Sequence, residues 1–582
     1  LMFEPRVYRA AFVPALLALV LTMFSLESRP RPLPQGLAAD VLFDGRVAAA
    51  VTGRIVAAAP DRRTGTAGDA RTAARVAQAL SRSGFRVAPP QRFSHAGDRL
   101  VNVIGRRAGR SRRQIVIVAN RDAAVVPEAT GSAADTAALI ELARVLEGRA
   151  TRKTLVLASL DGSTLGEIGA SELLEELPAP ELVDGVLAIS DLASPTSRGP
   201  LVQAWSTDER RAGLGLQRTV EESISRELNS APGGSGTLGQ LARLSFPIGI
   251  GPQGVLIEHG YDAVRIAGSG ELPPGGSGPV ESIDEDRLGA LGRATLRTIT
   301  ALDRGPKPAH GPDSYVTAVS QVMPGWVLSL LAVTLLIPAL VAAVDAFARA
   351  RRKHVEVVAW LRWVAAWVAP FLAGLTVAEL LALTGATPPP PPAPVPPDVL
   401  PLDGGALGVL GGVAAAMALA LLLARFLAAR PDQRLIRPQA PGAGVALALV
   451  SSAAALLLWL ANPYAGLLAV PAAHLWLLVL LAGVQPKRRV RGVLLALGAL
   501  PALLVALYYL IALSMDPLTG AWYLLLLVSG HSVGLLTALV GCVMLGALCA
   551  SVELVYRSPA APAERPEAEN PSPLGPGFAL RR

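Results

Sequence analysis

The stretch "KTLVLASLDGSTLGEIGASELLEEL" (Lys153 to Leu177) decides how the first half of the chain is read. The run from Leu155 to Leu160 is apolar almost throughout, which predicts a strand buried on both faces. Asp161-Gly162 then turns the chain, and "GEIGASELLEEL" returns as a helix. Open α/β sheets place their functional side chains at such strand ends. Here the two residues after the turn, Ser163 and Thr164, carry hydroxyls rather than carboxylates.

The flanks repeat the pattern. "RTAARVAQALSRSGF" (71–85) reads as an amphipathic helix, followed by the strand "RLVNVIGRR" (99–107). Next come the strand "RQIVIVANRD" (113–122) and the helix "DTAALIELARVLEG" (135–148). After Leu177 the strand "VDGVLAISDLA" (183–193) follows, and the helix "DEDRLGALGRATLRTITAL" (284–302) closes the region. This order predicts an α/β domain over residues 37–304, with a mostly parallel mixed sheet covered on both faces.

The rest of the chain has another character. The 582 residues are 52% hydrophobic and 17% charged, and their mean hydropathy is +0.44, too apolar for a purely soluble protein. "YRAAFVPALLALVLTMFSL" (8–26) is long enough to cross a bilayer. No small-x-small cleavage site follows it, so residues 1–36 are expected to be a retained signal anchor and short linker. A linker (305–322) leads into a membrane domain (323–557) with spans near 323–347, 357–384, 405–428, 442–461, 464–484, 492–514 and 523–555. That makes about eight in all. The last run is longer than one span needs, so its start, "AWYLLLLVSG", is expected to lie at the interface or re-enter.

The basic clusters "ARARRKH", "RFLAARPDQRLIR" and "PKRRVR" alternate with loops that contain no Lys or Arg, including "TPPPPPAPVPPDVLPLDGG" (387–405). The positive-inside rule then predicts a multi-pass plasma-membrane protein with both termini cytoplasmic and the α/β domain extracytoplasmic. The Pro-rich loop is expected to be a stiff extended connector outside the membrane, and the tail 558–582 disordered. Because the basic clusters sit between apolar runs, the net charge of +8 does not point to nucleic acid. Cys542 and Cys549 share one face of an apolar helix and read as packing residues; neither a disulfide framework nor a zinc-thiolate site is expected. The Ala/Arg/Pro-rich composition suggests a bacterial chain from a GC-rich genome.

Polar residues collect where the strands end: Asn120, Arg121 and Asp122, then Asp161, then Asp191. Taken singly these are turn formers. Taken in order, the segments resemble the co-catalytic zinc aminopeptidases of the aminopeptidase S and Y type, clan MH exopeptidases related to glutaminyl cyclases. "IVIVANRDA" resembles their strand ending in Ala-His-x-Asp, and "GSAADTAALIELARVL" their Gly-Ala-x-Asp loop and following helix. "LASLDGSTLGEIGASELLEEL" resembles their Asp-Gly-Glu-Glu-x-Gly segment. "LAISDLAS" stands where Asn-x-Asp-Met is usual. "GPQGVLIEHGYDAVRIAG" stands where their Ser-Asp-His segment is usual.

The resemblance implies a site in which two His, two Asp and a Glu hold two zinc ions while a neighbouring Glu acts as general base. Here Asn120 replaces the first His, and Asp135 or Ser132 remains of the bridging Asp. Ser163 and Thr164 replace the Glu pair, Asp191 matches the later Asp, and Gln253 replaces the second His. Asp122 survives without an imidazole to orient. Zinc requires three or four strong donors, so the substitutions predict a catalytically inactive site and no cofactor. A metallo-aminopeptidase with rearranged ligands, binding zinc, is the competing reading.

The layout, an anchor followed by an aminopeptidase-like domain and seven spans, resembles the attachment subunit of the glycosylphosphatidylinositol transamidase. That likeness implies a platform that binds a peptide or lipid-linked ligand, or other membrane or extracytoplasmic proteins, beside the lipid bilayer. Asp122 and Asp161 are candidate binding residues. Ionisable residues within spans are costly and draw notice. Glu379 and His531 are candidates for an outer-leaflet polar pocket or for a helix–helix pair, while Asp345 and Glu553 are expected to meet basic loop residues. A lipid-linked transferase or transporter component is the third reading.

Overall fold

A computed structural model describes residues 4–35, 43–126, 128–195, 199–272, 278–318, 320–427, 441–481 and 487–557. The tail expected to be disordered, and most of the basic loop after residue 425, lie outside the described residues.

The strands, in chain order, are β1 (Glu27–Ser28), β2 (Arg86–Val87), β3 (Gln91–His95), β4 (Asp98–Arg107), β5 (Ser111–Asn120) and β6 (Lys153–Leu160). They continue with β7 (Val183–Ser190), β8 (Leu201–Gln203), β9 (Ala263–Ala267), β10 (Tyr315–Ala318) and β11 (Gln321–Pro324). Eight form one sheet in the order β2-β4-β6-β5-β7-β9-β8, with β3 paired to β4. β6, β5, β7 and β9 run parallel, and β4 and β8 flank them antiparallel. This is the mixed sheet the sequence predicts, with its parallel pairing confined to the four central strands.

Its centre is covered on both sides, since successive residues Ile115–Ala119, Leu155–Leu160 and Val183–Ile189 are all buried. β-Branched and Leu side chains suit that environment because each strand residue meets a helix or a neighbouring strand. The helix Ser132–Leu146 is buried almost all round and therefore Ala-rich, as it lies between the sheet and the helix Gly45–Ala58. Glu285–Arg304 packs on Leu214–Leu228 and on Gly45–Ala58. Ile168–Leu173 and Pro252–Glu258 pack on each other and on β4, β7 and β9.

Residues 305–322 are not a free linker. Arg211 N donates to the Asp313 carbonyl, and Gly215 N to that of Ala309, which holds the segment against the domain. β10 and β11 form a hairpin to which β1 adds as a third strand. Tyr315, fully buried, donates to the Ala212 carbonyl at 2.8 Å.

Among the described residues eight helices are long and apolar enough to cross a membrane: Pro5–Phe24, Gly325–Arg352, Val358–Leu383, Gly404–Phe426, Gly442–Ala461, Pro463–Leu481, Arg488–Ala512 and Leu535–Tyr556. The protein is thus an α/β domain joined to a helical membrane region. The long last run divides into a short helix, Pro517–Ser529, and a full span. It breaks at Gly530 and His531, the latter in a left-handed conformation (φ 58°).

Candidate functional site

Asn120 ends β5, Ser163 and Thr164 follow β6, Asp191 follows β7, and Arg265 lies within β9. Parallel pairing of these strands brings their C-terminal ends to one edge of the sheet.

Asp122 is the hub of the first group. It accepts from the Ser163 N–H at 3.1 Å and hydroxyl at 3.0 Å. It also accepts from the Thr164 N–H at 3.2 Å and from the Thr64 hydroxyl at 2.9 Å. The left-handed Gly162 (φ 77°) makes this possible by turning the short 3-10 segment Ser163–Leu165 back over Asp122. Around Asp122 the chain thus supplies hydroxyls and peptide N–H groups.

Asn120 meets a residue the sequence reading passed over. Its Nδ2 donates to both oxygens of Glu167, each at 3.1 Å. Glu167 follows the left-handed Gly166 (φ 77°) and is itself left-handed (φ 63°), which turns its side chain inward. Burial, then the nearby charge of Asp122, pushes its carboxyl up to about 8. The sequence pattern places Glu167 in the first turn of the helix 166–177, whereas the helix begins at Ile168 and Glu167 stands before it.

The second group lies towards β7 and β9. Asp135 accepts from the backbone N–H groups of Asp191 and Leu192 at 2.8 and 3.1 Å. Burial raises the Asp135 carboxyl, helped by the charge of Asp191; burial raises that of Asp191 too. Gln253 is fully buried, and its Nε2 donates to the Ile250 carbonyl at 2.9 Å. Ser132 donates no side-chain bond to Asp191; its N–H binds Glu128 at 2.8 Å, and its Oγ accepts from Arg62. Arg265 is the unexpected member, a buried guanidinium from an otherwise apolar strand. Burial pulls its pKa down, while the charges of Asp191, Glu271, Glu167 and Asp135 act against that.

Asp161 is directed elsewhere. It accepts from the Val101 N–H at 3.0 Å and pairs with Arg121 at 3.3 Å. Arg121, itself fully buried, also binds both oxygens of Asp69, at 2.8 and 2.6 Å. Two carboxylates on one buried guanidinium make a structural ion network, apart from the Asp122 group.

The donor set does not fit zinc. Asn120 and Gln253 offer neutral amides, Asp122 and Asp135 are already taken by N–H and O–H donors, and a guanidinium lies among the carboxylates. Among the described residues no group of three or more His, Cys, Asp and Glu side chains is placed to hold a metal ion. The buried polar atoms without a protein partner there include the Asn120 and Gln253 carbonyl oxygens and Arg265 Nε.

In the membrane region Glu379 and His531 approach to 3.5 Å. Asp345 pairs with Arg349 on its own helix at 2.9 Å, and Glu553 accepts from Trp367 Nε1 at 2.6 Å. His474 joins Tyr8 of the first helix, at 2.8 Å, to the Leu335 carbonyl.

No family model and no curated protein matches the chain. Among solved structures it is similar to the zinc aminopeptidase BSAP from Bacillus subtilis, at 13% identity over 49% of this chain and 98% of that one, with a TM-score of 0.38. A Zn-dependent exopeptidase from Parabacteroides distasonis matches at 17% identity over 44% and 98%, with a TM-score of 0.36. An Acidobacteriales bacterium glutaminyl cyclase matches at 16% identity over 47% and 100%, with a TM-score of 0.35. None of these comparisons bears on the layout likeness to the transamidase subunit.

Proposed function

We propose that this chain is a multi-pass membrane protein whose extracytoplasmic aminopeptidase-like domain binds a ligand without hydrolysing it. The observation that carries the reading is the commitment of the strand-end polar groups to protein partners: Asn120 to Glu167, Asp122 to Ser163 and Thr164, Asp135 to the Asp191 loop. Amides at Asn120 and Gln253 and hydroxyls at Ser163 and Thr164 stand where metal-assisted hydrolysis would need strong donors and a carboxylate base. The orphaned atoms on Asn120, Gln253 and Arg265 favour binding, since a buried polar atom gains when a ligand group pairs with it. Both termini are assigned to the cytoplasm by the basic loops, and the partner is accordingly an extracytoplasmic peptide, a lipid-linked molecule or a membrane protein.

Metal content and peptidase activity of the full chain test this directly. The expected result is substoichiometric zinc after dialysis and no aminopeptidase turnover. The double variant S163E/T164E should remain inactive, because Asn120 and Gln253 still supply amides. Two tightly held zinc ions per chain, with activity lost on chelation, overturn the reading in favour of a rearranged metallo-exopeptidase.

A further inference from the structure

The loop 384–403 does not hang free between two spans. Pro391 lies against Gly166, so closely that a Cβ added to that glycine would stand 2.2 Å from the proline's. The Ala393 N–H donates to the Gly166 carbonyl at 3.0 Å. Ala393 is fully buried within the core of the α/β domain, and Pro394, Val395 and Pro397 are buried as well. Further along, the Val395 carbonyl accepts from the Tyr523 hydroxyl at 3.0 Å, and the Leu400 carbonyl from Trp522 Nε1 at 3.1 Å. Asp398 comes within electrostatic reach of Asp191, whose carboxyl is raised first by burial. The strap therefore runs from Gly166, beyond the end of β6, towards Asp191, at the end of β7. β5 and Asn120 lie between these two strands.

The chemistry of the fit is specific. Residues 388–392 and 394 are all proline, so Ala393 carries the only backbone N–H in 388–394. A buried extended peptide normally needs an acceptor for every N–H. Over 388–394 one acceptor, Gly166, suffices. The fixed polyproline geometry also lowers the entropy lost on docking. The buried side chain at the centre is a single methyl group, which bounds the size the groove accepts.

We infer that the C-terminal edge of the sheet, between Gly166 and Asp191, is a groove for extended Pro-small-Pro peptides, and that residues 391–398 are its tethered occupant. A peptide of that type on an extracytoplasmic partner binds by displacing the strap. This rests on the reading of the domain as a binding module and names the ligand class.

The test uses the full chain in detergent or nanodiscs and a fluorescent peptide of sequence PPPPAPVPPD, that of residues 389–398. In one variant, residues 389–397 are replaced by a Gly/Ser linker of equal length. Because a tethered strap competes at high effective concentration, the variant is expected to bind the peptide about tenfold or more tighter than wild type. A peptide with Trp at the Ala position should not bind. Tyr523→Phe, which removes only the hydroxyl holding Val395, should by itself raise peptide binding over wild type, and it serves where the linker variant does not fold. Equal binding by wild type and the folded variants, no binding by either variant, or undiminished binding of the Trp peptide overturns the inference. Zinc and activity measured on the same preparations keep the two readings apart: a failed peptide test with no zinc and no turnover overturns only the groove.

Discussion

Glu167 concentrates the energetics of the site. It is a buried acid, its backbone is left-handed, and its amide partner, Asn120, cannot neutralise it. With its folded pKa near 8 against an ordinary value of 4.5, the folded state holds a proton that the unfolded state releases. Stability from this group is complete below about pH 4.5 and is lost as the pH rises through about 8. The Glu167→Gln variant keeps the shape without the charge. Its stability should fall less steeply than that of wild type between pH 5 and 8, by a difference on the order of a few kcal/mol over that window. Equal pH slopes in the two proteins would show that Glu167 ionises freely. The positions of Asn120, Asp122, Ser163, Thr164 and Asp191 were legible in the sequence because strand ends in a parallel sheet converge. Glu167 and Arg265 were not, since an inward turn at positive φ and a charge within a buried strand both run against local pattern.

Among the elements, β5, β6 and β7 are readable for a simple reason: a strand covered on both faces must be continuously apolar. β1, β8, β10 and β11 are two to four residues long, and their pairing depends on distant partners, so no local signal announces them. The Pro-rich composition of the strap points to an extended segment, but a run of prolines has no periodicity to reveal which side is buried. The helix after the opening stretch depends on close approach. A Cβ on Gly169 would stand 2.2 Å from the Asp161 carbonyl and 2.8 Å from Asn102 Oδ1. Gly169→Ala should therefore destabilise the α/β domain by about 1–3 kcal/mol, as read from its thermal transition. An unchanged transition would mean that Ile168–Leu173 can slide outward at no cost.

At the scale of the whole molecule, the α/β domain rests on the membrane helices through a defined foot. Arg243 pairs with Glu271, both buried, stacks 3.9 Å over Trp205 and donates to the Tyr508 hydroxyl at 2.9 Å. Ile248 and Ile250 pack with Tyr509, Leu513, Tyr523 and Leu527. Asn462 donates to the Leu244 carbonyl at 2.8 Å. Truncating Arg243 leaves Glu271 buried without its main counter-charge, a loss of about 3–5 kcal/mol. Calorimetry of Arg243→Met should accordingly show the α/β domain melting ahead of the helices, as a separate transition. A single transition at the wild-type temperature would place the coupling elsewhere.

The three-stranded hairpin has a consequence for the order of assembly. β1 directly follows the first apolar helix, and β11 directly precedes the second. The α/β domain is thus an insertion whose two ends are stitched together by a seam of backbone hydrogen bonds. During synthesis that seam cannot form until residue 322 has emerged, so the eight-stranded sheet can fold while its hem is still open. Closing the seam sets the first two helices side by side, and a folded domain on one side of the bilayer thereby chooses neighbours for helices within it.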